Sequence, residues 1–177
     1  GGLLEHFGER CVTSNQFYRP LSSTGSNSSA RGQQMEPLSV RHTILRGPNS
    51  GRDLLAFGFL FNFGSFSPNS FVQWVEQAVA EPWFAQAVAA HAEDVVGVAV
   101  LAHMGWTDES IEVIRAAVRA APGGAHLPMV VLAGHTHIRV FSRLDENAGL
   151  LESGRYFDTI GMIGFDTPPS AANAHVA

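Results

Sequence analysis

Three short runs of almost continuous apolar residues constrain the fold of this chain more than any other feature. They lie at 53–61, 94–102 and 129–133, and the second is rich in valine. Runs of this length are typical of β-strands that are covered on both faces. Between them, 70–91 and 107–120 have apolar residues at helical spacing. This alternation predicts an α/β domain with layers of helices around a mixed sheet.

Finer signals predict where the helices begin and end. Pro82 interrupts the first helical pattern and predicts a second helix with proline in its first turn. Thr107 or Asp108 is expected to cap the later helix, and Pro-Gly-Gly at 122–124 is expected to end it. Weaker alternating patterns predict further strands at 38–46, 138–144 and 155–165.

A polar segment at 19–37 is rich in Ser, Gly, Asn and Gln, a composition typical of flexible loops. We expect it to be a flexible insertion in one domain that spans 1–166 and is followed by a tail at 167–177. A length of 177 residues is sufficient for one domain with its own core. A turn is expected at 48–51, Pro-Asn-Ser-Gly.

Composition excludes several classes of protein and leaves others open. The hydrophobic fraction of 45% and charged fraction of 15% are typical of globular domains. A net charge of −5 argues against a nucleic-acid partner, and no apolar run is long enough to predict a membrane span. The single cysteine, Cys11, excludes an internal disulfide framework. The oligomeric state is not constrained.

Histidines follow two of the three apolar runs directly. His103 comes after the second run, and His135 and His137 come after the third. In open α/β sheets, functional groups collect at the carboxyl ends of the strands, and imidazole is a good ligand for zinc, iron, manganese or nickel. The three histidines therefore predict a metal site. Gly134 is expected to let the backbone turn so that both rings of the His-x-His pair face the ions.

A structural interpretation stands beside this one. A lone histidine at a strand end is commonly a hydrogen-bonded structural residue, and a His-x-His pair also arises by chance. On that interpretation the chain is a purely structural α/β domain. The metal interpretation is favoured because all three histidines lie at strand ends. The other histidines, expected to lie on the surface or in loops, are at 6, 42, 91, 126 and 175.

The segments around the candidate ligands resemble two motifs of calcineurin-like metallophosphoesterases. Ala-Gly-His-Thr-His at 133–137 resembles the closing Gly-His-x-His motif, and Leu-Ala-His-Met-Gly at 101–105 resembles the lone-histidine motif before it. The 32-residue interval from His103 to His135 contains one predicted helix and one predicted strand, as in that family. Segments similar to 5'-nucleotidases, and in part to their fungal secreted or vacuolar group, lie at 12–15, 55–60, 137–139 and 152–156.

The resemblance implies a layered α-β-β-α fold and a function. A complete domain would hold two divalent metal ions (zinc, manganese, iron or similar) and hydrolyse nucleotides or other small phosphomonoesters. His103 and His135 would be ligands of the second metal, and His137 a ligand of the first. Arg139 would bind the substrate phosphate, although a surface position on a strand explains it equally well. A secreted or vacuolar location is also implied.

The chain also departs from the family pattern. The motifs Asp-x-His, Gly-Asp-x-x-Asp and Gly-Asn-His, which precede the lone histidine in the family, are absent from the sequence. The bridging aspartate and the catalytic histidine therefore have no counterpart. We expect an incomplete fold whose front half is missing, a sheet with an exposed edge or face, and no activity of the chain alone. The alternative is a non-catalytic binding or interaction module that retains the half-fold.

Overall fold

The computed structural model describes residues 2–19, 35–47, 51–64 and 68–166. In chain order, its helices and strands are α1 (Leu3–Phe7), β1 (Gln16–Tyr18), β2 (Glu36–Pro37), β3 (His42–Leu45), β4 (Leu54–Leu60), β5 (Ser70–Val72), α2 (Val75–Ala80), α3 (Pro82–His91), β6 (Gly97–His103), α4 (Glu109–Ala120), β7 (Met129–Ala133), β8 (Arg139–Asp145) and β9 (Ala148–Ser153).

The three apolar runs form the centre of a six-stranded mixed sheet with the order β3-β4-β6-β7-β9-β8. Neighbours among β4, β6, β7 and β9 pair in parallel, whereas β3 and β8 pair antiparallel at the two edges. A second, antiparallel sheet has the order β2-β1-β5. The predicted α/β class with a mixed sheet is confirmed. The parallel arrangement also explains why the central strands are apolar on both faces.

Helices α2, α3 and α4 share one hydrophobic core with the sheet. The sheet contributes buried side chains such as Phe57, Val98 and Val131 to this core. The helical spacing predicted for 107–120 is confirmed, because Ile111, Ile114 and Val118 form a stripe of buried residues along α4. Burial of one such side chain stabilises the fold by roughly 1.5–3 kcal/mol. The stripe therefore accounts for the attachment of α4 to the sheet.

Two predicted helix boundaries are confirmed. Helix α3 begins at Pro82. Proline lacks a backbone N–H, and this costs no hydrogen bond here because the first N–H groups of a helix have no partner within the helix. Helix α4 is capped by Asp108, whose Oδ1 accepts a hydrogen bond of 2.9 Å from the backbone nitrogen of Ser110. Of the two residues that the sequence allowed as caps, Asp108 is the one used.

Two predictions of secondary structure are wrong, and one strand was not predicted. The pattern at 70–91 begins with strand β5 rather than a helix. The segment at 155–165 is not a strand, because Tyr156 and Phe157 both have φ of 57° and the chain turns there. Strand β9 was missed because Ala-Gly-Leu-Leu-Glu-Ser lacks the β-branched and aromatic residues typical of strands.

His42, expected on the surface or in a loop, is half-buried in β3.

The predicted polar insertion extends less far than 19–37 on its carboxyl side. Glu36 and Pro37 form β2, and they pair with Tyr18 and Phe17 of β1. Residues 20–34, the predicted tail at 167–177 and most of the turn predicted at 48–51 lie outside the described residues. Among the helices that are described, none combines the length and apolar character needed to cross a bilayer.

The sheet face opposite the helices has a small core of Ala56, Ala99 and Val130. Further along this face, large apolar side chains are partly open to solvent. The exposed fractions of Leu101, Leu132 and Phe141 are 37%, 40% and 63%. These exposures agree with the uncovered sheet face that the sequence predicts.

Candidate metal centre

The carboxyl ends of the parallel strands meet at one edge of the sheet. His103 is the last residue of β6 and lies beside Leu60, the last residue of β4. Strand β7 ends at Ala133, and Gly134 and His135 follow it. The backbone nitrogen of Gly134 donates a 3.2 Å hydrogen bond to the carbonyl oxygen of Met104, which ties the two histidine segments together.

His103 and His135 are in direct contact. Nδ1 of His135 lies 3.2 Å from Nε2 of His103, and the ring centroids are 5.1 Å apart. If both nitrogens bound one metal ion through bonds of about 2.1 Å, the nitrogen–metal–nitrogen angle would be about 100°. That angle lies between those of octahedral and tetrahedral coordination, so the separation of the two nitrogens is compatible with two ligands of one cation. Without a cation, the two nitrogens share a hydrogen bond whose direction depends on the tautomers.

His137 is exposed and does not complete a trio. Across the described ranges, no three His, Cys, Asp or Glu side chains form a group that could hold a metal ion. The structure therefore brings together two of the three predicted ligands. Because zinc sites have three or four protein ligands, a complete centre needs further donors besides this pair.

The backbone of the His-x-His segment adopts an unusual conformation. His135 has φ of 84° and His137 has φ of 63°, both in the left-handed region. The sharp turn expected at Gly134 is therefore made by the histidines, and that expectation is wrong. A left-handed conformation costs a residue with a side chain roughly 1–2 kcal/mol, so contacts of the surrounding structure must hold it.

Thr136, between the two left-handed histidines, has such contacts on two sides. Its Oγ1 donates a 2.6 Å hydrogen bond to Oε1 of Glu152, a residue of β9 that is only 1% exposed. On the other side, Thr136 packs against Gly105. A Cβ at Gly105 would lie 2.6 Å from Cγ2 of Thr136, so any larger residue there would displace the threonine.

Phe61, which follows β4, covers one side of the histidine pair. Its ring centroid lies 4.7 Å from that of His135 and 6.1 Å from that of His103. Its backbone nitrogen donates a 3.2 Å hydrogen bond to the carbonyl oxygen of His103. Sequence reasoning missed Phe61, although its position directly after the first apolar run is a usable signal. It also missed Glu152, because β9 was not recognised.

The end of β4 is held by the segment 12–15, Val-Thr-Ser-Asn, one of the segments similar to 5'-nucleotidases. Asn15 is fully buried, and its Nδ2 donates to the carbonyl oxygens of Leu60 and Gln73 at 2.8 and 2.9 Å. Its Oδ1 accepts from the backbone nitrogen of Leu60 at 3.0 Å. Since Leu60 precedes Phe61 and pairs with His103, Asn15 acts as a structural support of the site.

Arg139 lies at the same edge of the sheet. It is the first residue of β8, is exposed, and faces Ser153 of β9 in the antiparallel register. With Ser153 and Thr159 it lines a depression beside the end of β9. Arg155 does not open a strand as predicted, and its guanidinium stacks on the ring of Tyr156 at 4.8 Å.

Comparisons with known proteins identify related chains. No family model matches. An uncharacterised protein of Schizosaccharomyces pombe is 36% identical over 121 residues, which cover 68% of this chain and 19% of that protein. An uncharacterised protein of Saccharomyces cerevisiae is 28% identical over 79% of this chain and 24% of its own length. A protein of Arthroderma benhamiae named as secreted is 29% identical over 89% of this chain and 22% of its own length.

Among solved structures, a 5'-nucleotidase from Candida albicans matches with a TM-score of 0.74 and 26% identity, over 87% of this chain and 26% of that one. This chain therefore has a 5'-nucleotidase-like fold. It spans about a fifth to a quarter of the length of the proteins it matches.

Proposed function

We propose that this chain is the C-terminal portion of a metal-dependent phosphoesterase domain that hydrolyses nucleotides or other small phosphomonoesters. The proposed domain portion is 1–166, with 167–177 as a tail. The observation that carries the proposal is the 3.2 Å separation of the His103 and His135 nitrogens at the carboxyl ends of parallel strands. The likeness to the 5'-nucleotidase from Candida albicans supports the choice of reaction.

The proposed ligand atoms determine the tautomers of the pair. A ligating nitrogen carries no proton, so His103 binding through Nε2 keeps its proton on Nδ1, and His135 binding through Nδ1 keeps its proton on Nε2. The ring of Phe61 packs against both imidazole rings. When bound, a divalent cation such as zinc, manganese or iron polarises phosphoryl oxygens and lowers the pKa of its water.

His137 and Arg139 have secondary roles in this proposal. His137 would be a ligand of the first metal ion of the complete domain, whereas His103 and His135 would hold the second. Arg139 would contact the substrate phosphate, because a guanidinium pairs with two phosphate oxygens at once. A secreted or vacuolar location is part of the proposal, and the name of the Arthroderma benhamiae relative, a secreted protein, supports the first of the two.

The isolated chain is proposed to be inactive. Within the described ranges, no Asp or Glu joins the histidine pair to form a group that could hold a metal ion. Two imidazoles supply neither a bridging carboxylate nor a proton donor for the leaving group. The same observation favours the alternative, a non-catalytic binding or interaction module that retains the half-fold.

Metal titration and a phosphatase assay test the proposal together. Zn²⁺ added to the 177-residue chain is expected to bind at one site that His135→Ala abolishes. The control His126→Ala, which changes an exposed histidine, leaves binding unchanged. Hydrolysis of p-nitrophenyl phosphate by the chain alone is expected to be undetectable. Activity that disappears in His135→Ala would contradict the proposed inactivity, and absence of Zn²⁺ binding would favour the alternative.

A further inference from the structure

Glu152 is buried, and its hydrogen bonds do not offset the free energy of removing a carboxylate from water. In the described part of the chain its Oε1 has one hydrogen-bond partner, Thr136, and its buried Oε2 has none. A buried carboxylate costs several kcal/mol unless a positive charge and further hydrogen bonds compensate it. Stability alone therefore does not explain an acidic residue at this position of β9.

The partner of Glu152 lies between two residues of the candidate site that have left-handed backbone conformations. Thr136 is flanked by His135 and His137, both of which have positive φ. Residues in the left-handed region persist only where neighbouring contacts determine their conformation. A contact at Thr136 is therefore well placed to control both neighbours.

Strand pairing places Glu152 where it can provide this contact. In the parallel register, Glu152 of β9 lies beside Ala133, two residues before His135. Its carboxylate holds the hydroxyl of Thr136, and Gly105 leaves room for the methyl group on the other side. The threonine is thus fixed from β9 and from the segment that follows His103.

We propose that Glu152 is a positioning residue for the candidate metal centre. Through Thr136 it holds the 135–137 loop in the conformation that brings Nδ1 of His135 to Nε2 of His103. That the two imidazoles bind a metal rests on the proposed function. That Glu152 positions the two imidazoles does not depend on the proposed function.

Three variants of the full 177-residue chain test this role. Thr136→Val removes the hydroxyl and keeps the shape of the side chain. Glu152→Leu removes the acceptor, whereas Glu152→Gln keeps a carbonyl oxygen that can accept from Thr136. The matched control is Thr107→Val, which makes the same change at an exposed threonine.

The first measurement needs no metal. Nuclear Overhauser effects between ring protons of His103 and His135 are expected in the wild type, in Glu152→Gln and in Thr107→Val. They are expected to fall at least threefold in Thr136→Val and Glu152→Leu. Wild-type intensities in these two variants would overturn the proposal, as would equal losses in Glu152→Gln. If Glu152→Leu does not fold, Thr136→Val compared with Glu152→Gln decides the question.

The second measurement is the dissociation constant for Zn²⁺. Removal of a residue that orients a metal ligand typically weakens binding 10–100-fold, and this loss is expected in Thr136→Val and Glu152→Leu. Lower melting temperatures with unchanged affinity and unchanged ring contacts would show a purely structural role and overturn the proposal. A wild-type chain that binds no Zn²⁺ would contradict the proposed function, while the ring contacts would still decide the role of Glu152.

Discussion

Arg119 of α4 binds both carboxylate oxygens of Asp145 at the end of β8. Its Nε donates to Oδ2 at 2.9 Å, and its Nη2 donates to Oδ1 at 3.1 Å. Arg115 adds a 2.9 Å hydrogen bond to Oδ2, and the backbone nitrogen of Asn147 adds one of 2.8 Å to Oδ1. These contacts attach the β8–β9 hairpin, which carries Glu152, to the helix layer. The pKa of Asp145 is held well below its usual range, chiefly by the Arg119 hydrogen bond.

Asp145→Asn is expected to lower the free energy of unfolding by roughly 1–3 kcal/mol at pH 7, because hydrogen bonds between charged groups are lost. The pKa of Asp145 is lower in the folded state than its unfolded-state value of 3.8. Its contribution to the free energy of unfolding is therefore fully present above pH 3.8 and is lost as the pH falls from there toward the folded-state pKa. Urea unfolding between pH 7 and pH 2 measures both effects. Asp94→Asn, at an exposed turn, is the control, and an equal loss there would contradict the prediction.

Asp108→Ala is expected to destabilise the chain by about 1 kcal/mol, because the first turn of α4 loses its side-chain cap. Asp108→Ser keeps a capping oxygen and should restore most of the loss. Thr107→Ala is the control, since the neighbouring threonine does not cap the helix. Urea unfolding at pH 7 checks the three variants, and a larger effect at Thr107 would reverse the assignment.

Asn15→Ala is expected to be the most destabilising of these substitutions, by at least about 3 kcal/mol. It leaves both backbone groups of Leu60 and the carbonyl of Gln73 without their side-chain partner, and each unsatisfied buried group costs roughly 1–3 kcal/mol. The control is Gln77→Ala on the exposed side of α2. Denaturant midpoints compare the two, and similar midpoints would show that Asn15 does not support the end of β4.

The lowered pKa of His42 predicts that the folded chain loses stability in mild acid. Burial lowers its pKa below 6.5, and the charge of His91 lowers it further. The folded state therefore binds fewer protons than the unfolded state, and stability decreases as pH falls from about 6.5 toward the lowered value. His42→Phe keeps an aromatic ring against Trp83 and should flatten this part of the pH profile. Thermal unfolding from pH 7.5 to pH 5 measures it, and His126→Phe should leave the profile unchanged.

The open sheet face predicts self-association of the 177-residue chain. Leu132 and Phe141 are exposed by 40% and 63% on this face, and exposed apolar patches promote association. The double variant Leu132→Ser and Phe141→Ser is expected to reduce binding of a hydrophobic dye at least twofold and to shift the chain toward the monomer. Dye fluorescence and sedimentation test this. A wild-type chain that is monomeric and binds no dye would refute the prediction.

Much of the fold follows from patterns between residues that are close in sequence. The central strands were predictable because each is a short apolar run, and α4 because its stripe and its cap lie within one helix. The placement of His103 and His135 at the same edge of the sheet was predictable, because His103 follows one apolar run and His135 follows another after a single glycine. Strand β9 was not predictable, since its residues favour a strand only when paired with β7 and β8.

The sequence by itself determined the α/β class, the central strands and the two segments that carry the histidines, because hydrophobic period and helix capping are local properties. Only the tertiary structure decided that His135 meets His103 at 3.2 Å and that Glu152 lies beneath Thr136. These contacts join residues 32 and 16 positions apart. They depend on the register between parallel strands that are distant in sequence, which is fixed when the buried faces of those strands pack together in the folded chain.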